Sequence, residues 1–224
     1  MTAARCSAVL YDWDGTLVDS AEASYRCYKL LFESFGIAFG REEFERTYSP
    51  NWQLTYAALG LPREKWDEAD ALWLDHYRRE VTSLLPGARE AVVRSGEAGL
   101  RQGIVSSGDG QRVRRELTAF GLARYFQAIV CSGDTVRRKP DPQPLLLALD
   151  RLALPPAEAA YVGDSPEDVL MARAAGVFSI GIPGRFPNHN ALRSASPDVV
   201  ASSIEEAASV VLSRSGRGGP PARA

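Results

Sequence analysis

Short apolar runs alternate with longer stretches of helical periodicity along most of this chain. The runs are Ala8 to Tyr11, Gln102 to Ser106, Ala128 to Cys131, Ala160 to Gly163, Phe178 to Gly181 and Asp198 to Ala201. Apolar runs this short predict strands buried on both faces, and the helical segments between them predict crossovers. The expected fold class is therefore α/β, with a parallel, doubly wound sheet. From the second run onward the connections take about 20 to 30 residues, the length that one crossover helix requires. The first connection breaks the rule, since about 90 residues separate Asp14 from Ser106.

That excess carries amphipathic patterns at Ala21 to Phe35, Arg41 to Thr47, Gln53 to Leu59 and Arg63 to Glu80, and Leu85-Pro86-Gly87 punctuates its end. The pattern predicts a helical cap over residues 20–84, inserted into an α/β core made of residues 1–19 and 85–212. The last stretch, Ser213 to Ala224, is Gly, Pro, Ser, Ala and Arg without apolar periodicity, and predicts a disordered tail.

Composition narrows the function classes. At 224 residues the chain is long for one domain and short for two, which suits one core with an insertion. Apolar residues at 45% and charged residues at 24% describe an ordinary globular protein with a sizeable core. A net charge of -2 offers no bulk attraction to nucleic acid or to an anionic membrane. No apolar stretch approaches the roughly 20 residues of a membrane span, and Met1 to Ser7 lacks the layout of a signal peptide. Cys6, Cys27 and Cys131 show no metal-ligand spacing and read as thiols of a reducing, cytoplasmic setting. His76 and His189 are far apart and form no helical pair.

The chemistry begins where the first strand ends. Asp12 and Asp14 alternate with Trp13, so both carboxylates can share one face at the strand's carboxyl end, with Gly15 relieving the tight exit. Paired carboxylates repel each other and attract a hard cation such as Mg²⁺. With a phosphate ester beside them, one can attack phosphorus while the other moves a proton. The local alternative is a strand-end Asp that caps a turn.

Later strand ends carry complementary groups. Ser106, Ser107 and Gly108, before a helix expected at Gln111 to Phe120, form either a phosphate cradle or simple N-capping with Asp109. Lys139 is held on a stiff loop by Pro140, before a helix that Asp141 and Pro142 should start. Its ammonium can neutralise a phosphate and a carboxylate, whereas Arg137 and Arg138 read as solvated charges. Asp164 sits at the tip of the fourth strand as a further Mg²⁺ ligand. Asp168 is open between a metal role and the capping box that Ser165, Pro166 and Asp168 spell. Gly-x-Gly-x-x-Gly is absent after the first strand, as is any Gly-x-Ser-x-Gly elbow, so dinucleotide binding and serine hydrolysis find no support.

Four motifs occur in order, each after an expected strand. They are Asp12-Trp13-Asp14-Gly15-Thr16-Leu17-Val18-Asp19-Ser20, Ser106, Lys139 in Lys-Pro-Asp-Pro, and Gly163-Asp164-Ser165-x-x-Asp168. In this the chain resembles the haloacid dehalogenase-like hydrolases, in their phosphoglycolate phosphatase-like branch. The resemblance implies a Rossmann-like core with a helical cap, and a Mg²⁺-dependent phosphatase acting through an aspartyl phosphate. It implies Asp12 as nucleophile and Asp14 as general acid and base, with its backbone carbonyl on the metal. It further implies Ser106 on the phosphoryl oxygens together with Thr16, Ser107 and Gly108, Lys139 steadying charge, and Asp164 and Asp168 completing the metal site. Asp14 argues against a dehalogenase, while a sugar phosphomutase and an idle binding protein of the same fold stay as alternatives. Tyr48, Ser49, Asn51 and Trp52 interrupt the cap's helical pattern and are candidates to line the gap over the site, or else pack on the cap's own core. The expected partner is a small phosphorylated metabolite, bound by a monomer or homodimer.

Overall fold

The computed structural model of the protein describes residues 5–216. Its centre is strand β1 (Ala8–Tyr11), in which every residue is buried. Alternation sends Val9 and Tyr11 into one apolar cluster and Ala8 and Leu10 into another, on opposite faces of the sheet. β4 (Arg101–Asp109), β5 (Ala128–Ser132), β6 (Ala159–Gly163), β7 (Phe178–Gly181) and β8 (Val199–Val200) complete a six-stranded sheet in the order β5-β4-β1-β6-β7-β8. Every pairing is parallel. The α/β, doubly wound expectation holds, and each of its six strands is present.

Helices cover both faces. α5 (Ala88–Glu97), α6 (Gly110–Ala119) and α10 (Ile204–Ser215) pack on the side of Val9 and Tyr11. α7 (Gln143–Arg151) and α8 (Pro166–Ala175) pack on the side of Leu10. α9 (His189–Leu192) is a single turn between β7 and β8. The chain winds outward from β1 through β4 to β5, then returns across β1 to β6. This reversal beside β1 makes the carboxyl edge there the crevice where a ligand fits.

Between β1 and β4 the chain makes a second layer. β2 (Val18–Asp19) and β3 (Ser83–Leu84) form a two-residue antiparallel ladder, Val18 against Leu84 and Asp19 against Ser83. α1 (Ala21–Ser34), α2 (Arg41–Thr47), α3 (Trp52–Ala58) and α4 (Trp66–Tyr77), the last preceded by a 3₁₀ turn at Arg63–Lys65, lie between these strands. They bury an aromatic cluster of their own that includes Tyr28, Phe32, Phe39, Phe44 and Tyr56. Phe186, from the loop after β7, joins this cluster and stacks on Tyr48 at 4.6 Å between ring centroids, 15° from parallel. Arg185 reaches Asp19 of the ladder at 2.6 Å. Two residues are too few to show alternation, which is why β2 and β3 leave no mark in the hydrophobic pattern.

Other boundaries shift for local reasons. The ladder between β4 and β5 slips between Val105 and Asp109, so β4 runs past Ser106 with the Ser106 to Gly108 segment out of register. α7 starts one residue later than expected, since Asp141 Oδ1 accepts the Gln143 N–H at 2.9 Å and Pro142 precedes the first turn. Ser213 and Ser215, expected in the tail, belong to the last turn of α10, whose Val211 and Leu212 are anchored on the core. The remainder of that tail, 217–224, lies outside the described residues. No helix among the described residues is long and apolar enough to cross a membrane.

Leu10 is fully buried on the central strand, against the backbone of Gly103. Leu10→Ala should lower unfolding stability by about 2–5 kcal/mol. Leu146→Ala, at a position 42% exposed, should stay within roughly 0.5 kcal/mol. Urea unfolding of both variants checks the contrast.

Candidate active site

Asp12 extends β1 by one residue, donating its N–H to Val162 O of β6 at 2.9 Å. The chain then turns sharply, with Leu17 N–H and Val18 N–H both returning to Trp13 O at 3.0 Å. Gly15 makes the turn at φ +83°, and a Cβ there would stand 2.3 Å from Asp164 Oδ2. Glycine is needed both for the left-handed backbone and for the close approach. Trp13 points into the core, where its Nε1–H donates to Glu116 Oε2 at 2.7 Å.

Four of the charged groups singled out in the sequence meet at the end of β1. Lys139 Nζ donates to Asp12 Oδ1 at 2.6 Å, to Asp168 Oδ1 at 2.7 Å and to the Tyr161 hydroxyl at 2.7 Å. Asp12, Asp164 and Asp168, all buried, offer carboxylate oxygens within 4.8 Å of one another. The capping-box reading of Asp168 holds, and its second oxygen turns to the acid cluster. Ser165 and Asp168 form the capping box of α8, with Asp168 Oδ2 accepting Ser165 Oγ at 2.7 Å and Ser165 N–H at 3.1 Å. Oδ1 takes Lys139 and, at 3.1 Å, the Tyr161 hydroxyl.

Three buried carboxylates face one ammonium, which leaves a deficit of positive charge. Burial pushes the Asp12 carboxyl up to about 7 against the pull of Lys139. Burial and the Asp12 charge push Asp164 well above the carboxylate range. Burial opposes the Lys139 ammonium, but Asp12 and Asp168 outweigh it and hold its pKa above the ordinary value. Among the described residues, the Asp164 carboxylate accepts one hydrogen bond, from Thr16 Oγ1 at 3.2 Å. A divalent cation on these hard oxygens would remove the deficit, so the donor set fits Mg²⁺ in charge and in chemistry.

Asp14 takes a different cation. Arg112, on α6, grips it with both terminal nitrogens, Nη1 to Oδ1 at 3.0 Å and Nη2 to Oδ2. Nη1 also reaches Glu116 at 3.2 Å, and the guanidinium lies 4.7 Å from the Tyr77 ring centroid. Gly108 makes room for this pairing, because a Cβ there would stand 2.2 Å from Arg112 Nη2. Ser106 Oγ accepts the Gly108 N–H at 3.0 Å, and Asp109 Oδ1 accepts the Arg112 N–H at 2.8 Å as the N-cap of α6.

These groups floor a cavity of about 220 Å³. Asp12, Asp14, Ser106, Ser107, Gly108, Lys139, Asp164 and Asp168 line it below, and Tyr48 and Trp52 line it from the helical insertion. Two expected contacts do not. Thr16 is fully buried, with its hydroxyl donated to Asp164 rather than turned to the cavity. Asn51 sits at the start of α3, its N–H held by Ser49 Oγ at 3.1 Å, and it is not among the lining residues.

Several lining or supporting residues escaped the sequence reading. Arg112 and Glu116 left a signal: two charged residues four apart, at the positions of α6 that Val113 and Leu117 mark as buried. Tyr161 is hidden in an apolar strand. Asp70 accepts Trp52 Nε1–H at 2.7 Å and the Tyr56 hydroxyl at 3.0 Å, and joins Trp73 and Asn188 on the cavity wall through contacts that only the tertiary fold creates.

Comparison with known proteins agrees with this geometry. The family model described as haloacid dehalogenase-like hydrolase matches residues 9–182. A phosphoglycolate phosphatase of Nitrosococcus oceani is 34% identical over 211 residues, covering 88% of this chain and 93% of that protein. A pyrophosphatase PpaX of Bacillus velezensis is 29% identical over 210 residues, covering 92% of this chain and 96% of that one. Among solved structures, a protein described as a predicted phosphoglycolate phosphatase from Haemophilus somnus superposes with a TM-score of 0.82 at 20% identity, covering 92% of this chain and 97% of that chain. The chain therefore belongs to the haloacid dehalogenase-like hydrolase family, as an enzyme of its phosphoglycolate phosphatase-like branch.

Proposed function

We propose that this enzyme is a Mg²⁺-dependent phosphatase that hydrolyses small phosphomonoesters through an aspartyl phosphate on Asp12. The observation that carries the reading is the convergence of Asp12, Lys139, Asp164 and Asp168 on one buried point at the floor of the cavity. The Asp12 carboxylate attacks phosphorus, the bond from phosphorus to the ester oxygen breaks, and Asp14 gives that oxygen its proton. In the second half Asp14 takes a proton from water, the water oxygen bonds to phosphorus, and the bond to Asp12 breaks to release phosphate. Asp14 must turn from Arg112 towards the leaving oxygen for the first transfer.

Lys139 pairs Asp12 and Asp168 at once, which holds the nucleophile in place and balances charge that gathers during transfer. Ser106, whose Oγ accepts the Gly108 N–H and keeps its own proton to give, receives a phosphoryl oxygen, with Ser107 beside it on the cavity floor. Asp12 and Asp164, together with the Asp14 backbone carbonyl, would hold Mg²⁺, which would supply further neutralisation of the phosphoryl group. Asp168, whose two oxygens already accept bonds from Lys139, Tyr161 and Ser165, serves that site chiefly by holding Lys139.

Phosphate release from a panel of small esters should require Mg²⁺ and stop with chelator. Asp12→Asn should reduce kcat by roughly four orders of magnitude or more, since the nucleophile has no substitute. Acid quenching with labelled ester should leave label on the wild-type protein and none on Asp12→Asn. A folded wild type that releases no phosphate from any ester would reject the reading.

Asp164→Asn should raise the Mg²⁺ concentration for half-maximal activity by about tenfold or more. Titration of activity against Mg²⁺ measures this, and an unchanged midpoint would remove Asp164 from the metal site.

A further inference from the structure

The grip of Arg112 on Asp14 is more elaborate than an ion pair needs to be. Both hydrogen bonds that the Asp14 carboxylate accepts among the described residues come from this one side chain, Nη1 to Oδ1 at 3.0 Å and Nη2 to Oδ2. Nη1 is anchored a second time on Glu116 Oε2 at 3.2 Å, and that oxygen is itself fixed by Trp13 Nε1–H at 2.7 Å. The guanidinium carbon stands 4.7 Å from the Tyr77 ring centroid and 6.0 Å from that of Trp73, and both rings belong to α4 of the insertion. Core and insertion therefore hold the fork together.

Stability alone does not account for this arrangement. Arg112 Nε, the Tyr77 hydroxyl and Trp73 Nε1 are all buried without a hydrogen-bond partner. Buried polar atoms are seldom left unmet, and three of them around one side chain mark a place where the fold gives up satisfaction for geometry. Gly108 belongs to the same design, because a Cβ there would stand 2.2 Å from Arg112 Nη2 and displace the fork.

The two oxygens of Asp14 are not equivalent. Oδ1 sits on Nη1, the nitrogen that Glu116 also fixes, whereas Oδ2 sits on Nη2 and on the side of Ser106. Oδ2 and Ser106 Oγ both lie 3.2 Å from the point where a Gly108 Cβ would stand. The Asp14 side chain is 20% exposed against 4% for Arg112, so the acid can move while the fork stays.

We infer that Arg112 is a positioning residue for proton transfer, keeping Asp14 Oδ1 on Nη1 while Oδ2 is released to the ester oxygen on the Ser106 side. The inference rests on the reading of Asp14 as general acid and deepens it. As the bond from phosphorus to the ester oxygen breaks, its electron pair goes to that oxygen and the proton carried by Oδ2 follows it there. Arg112 touches neither atom. It confines the carboxyl group to a swing about one oxygen, and a misplacement of about 1 Å in a reacting group can cost on the order of a hundredfold in rate. Lysine cannot replace it, since an ammonium is a point charge without the planar fork.

Benzyl phosphate and 4-nitrophenyl phosphate are close in size, but only the benzyl oxygen needs a proton to leave. With Mg²⁺ present, kcat/KM for the two esters reports the steps up to transfer onto Asp12 and so isolates the work of the acid. Asp14→Asn should lower it by about a hundredfold or more for benzyl phosphate and by about threefold or less for 4-nitrophenyl phosphate. Arg112→Lys should reproduce the split, with a loss of about tenfold or more on benzyl phosphate alone. In the Asp14→Asn background Arg112→Lys should change neither ester by more than about twofold. Tyr77→Leu removes the ring beside the guanidinium and keeps every charge, and it should split the esters by at least about threefold. Equal losses on the two esters in Arg112→Lys, or in Tyr77→Leu if the lysine variant does not fold, overturn the inference, as does an Arg112→Lys loss that persists in full beside Asp14→Asn. The reading of the acid then stands on the split in Asp14→Asn. No split in Asp14→Asn defeats that reading, a wild type that hydrolyses neither ester defeats the phosphatase reading, and either result takes the inference with it.

Discussion

One ammonium shared among buried carboxylates is the constraint on which the rest of the site depends. An unpaired charge in a water-poor interior is costly, and removing one member of a buried pair leaves its partner exposed to the full penalty. Lys139 meets that demand for Asp12 and Asp168, and Tyr161 supports it with a hydroxyl that accepts from Lys139 and whose one proton faces Val105 O at 2.9 Å and Asp168 Oδ1 at 3.1 Å. Asp164 is left beside them with a threonine hydroxyl for company. Three carboxylates against one ammonium leave a charge that a divalent cation on these oxygens would balance. Reversal of the sheet's winding beside β1 is what puts all of these groups within reach of one another.

Two networks meet at the cavity floor without merging. Lys139 serves Asp12 and Asp168, while Arg112 serves Asp14 and Glu116. Trp13 stands between Asp12 and Asp14 in sequence, and its hydrogen bond to Glu116 ties the turn to α6. Two acids that are near neighbours along the chain therefore belong to separate electrostatic units, so Asp12 and Asp14 are held by different elements of the fold.

The fold was largely legible because β1 and β6 are buried on both faces and spell unbroken apolar runs, and because the helices of the insertion keep their periodicity. Acids, lysine and serine at strand ends stood out for a related reason: a polar residue directly after an apolar strand has few structural uses. Thr16 and Asn51 show the limit of that logic. Their types suit phosphate or sugar contacts, yet the tight turn after β1 aims Thr16 at Asp164, and the start of α3 keeps Asn51 off the cavity. Asp70, Asn188 and Tyr161 gave no local signal, since their neighbours come from distant parts of the chain. Arg112 and Glu116 carry one, through charges at the buried positions of α6.

The two-residue ladder of β2 and β3 has a consequence for how this enzyme can diversify. Because the insertion leaves and rejoins the core at residues hydrogen-bonded to each other, the distance between its ends is fixed by one short pairing and not by whatever lies between. Lengthening or replacing the inserted helices adds little to the entropy of closing that loop. The reacting acids sit on the other side of the ladder, in strands that the replacement does not touch. The insertion's share of the cavity wall can thus be exchanged as a cassette while the floor, with Phe186 and Asn188 from the loop after β7, stays the same.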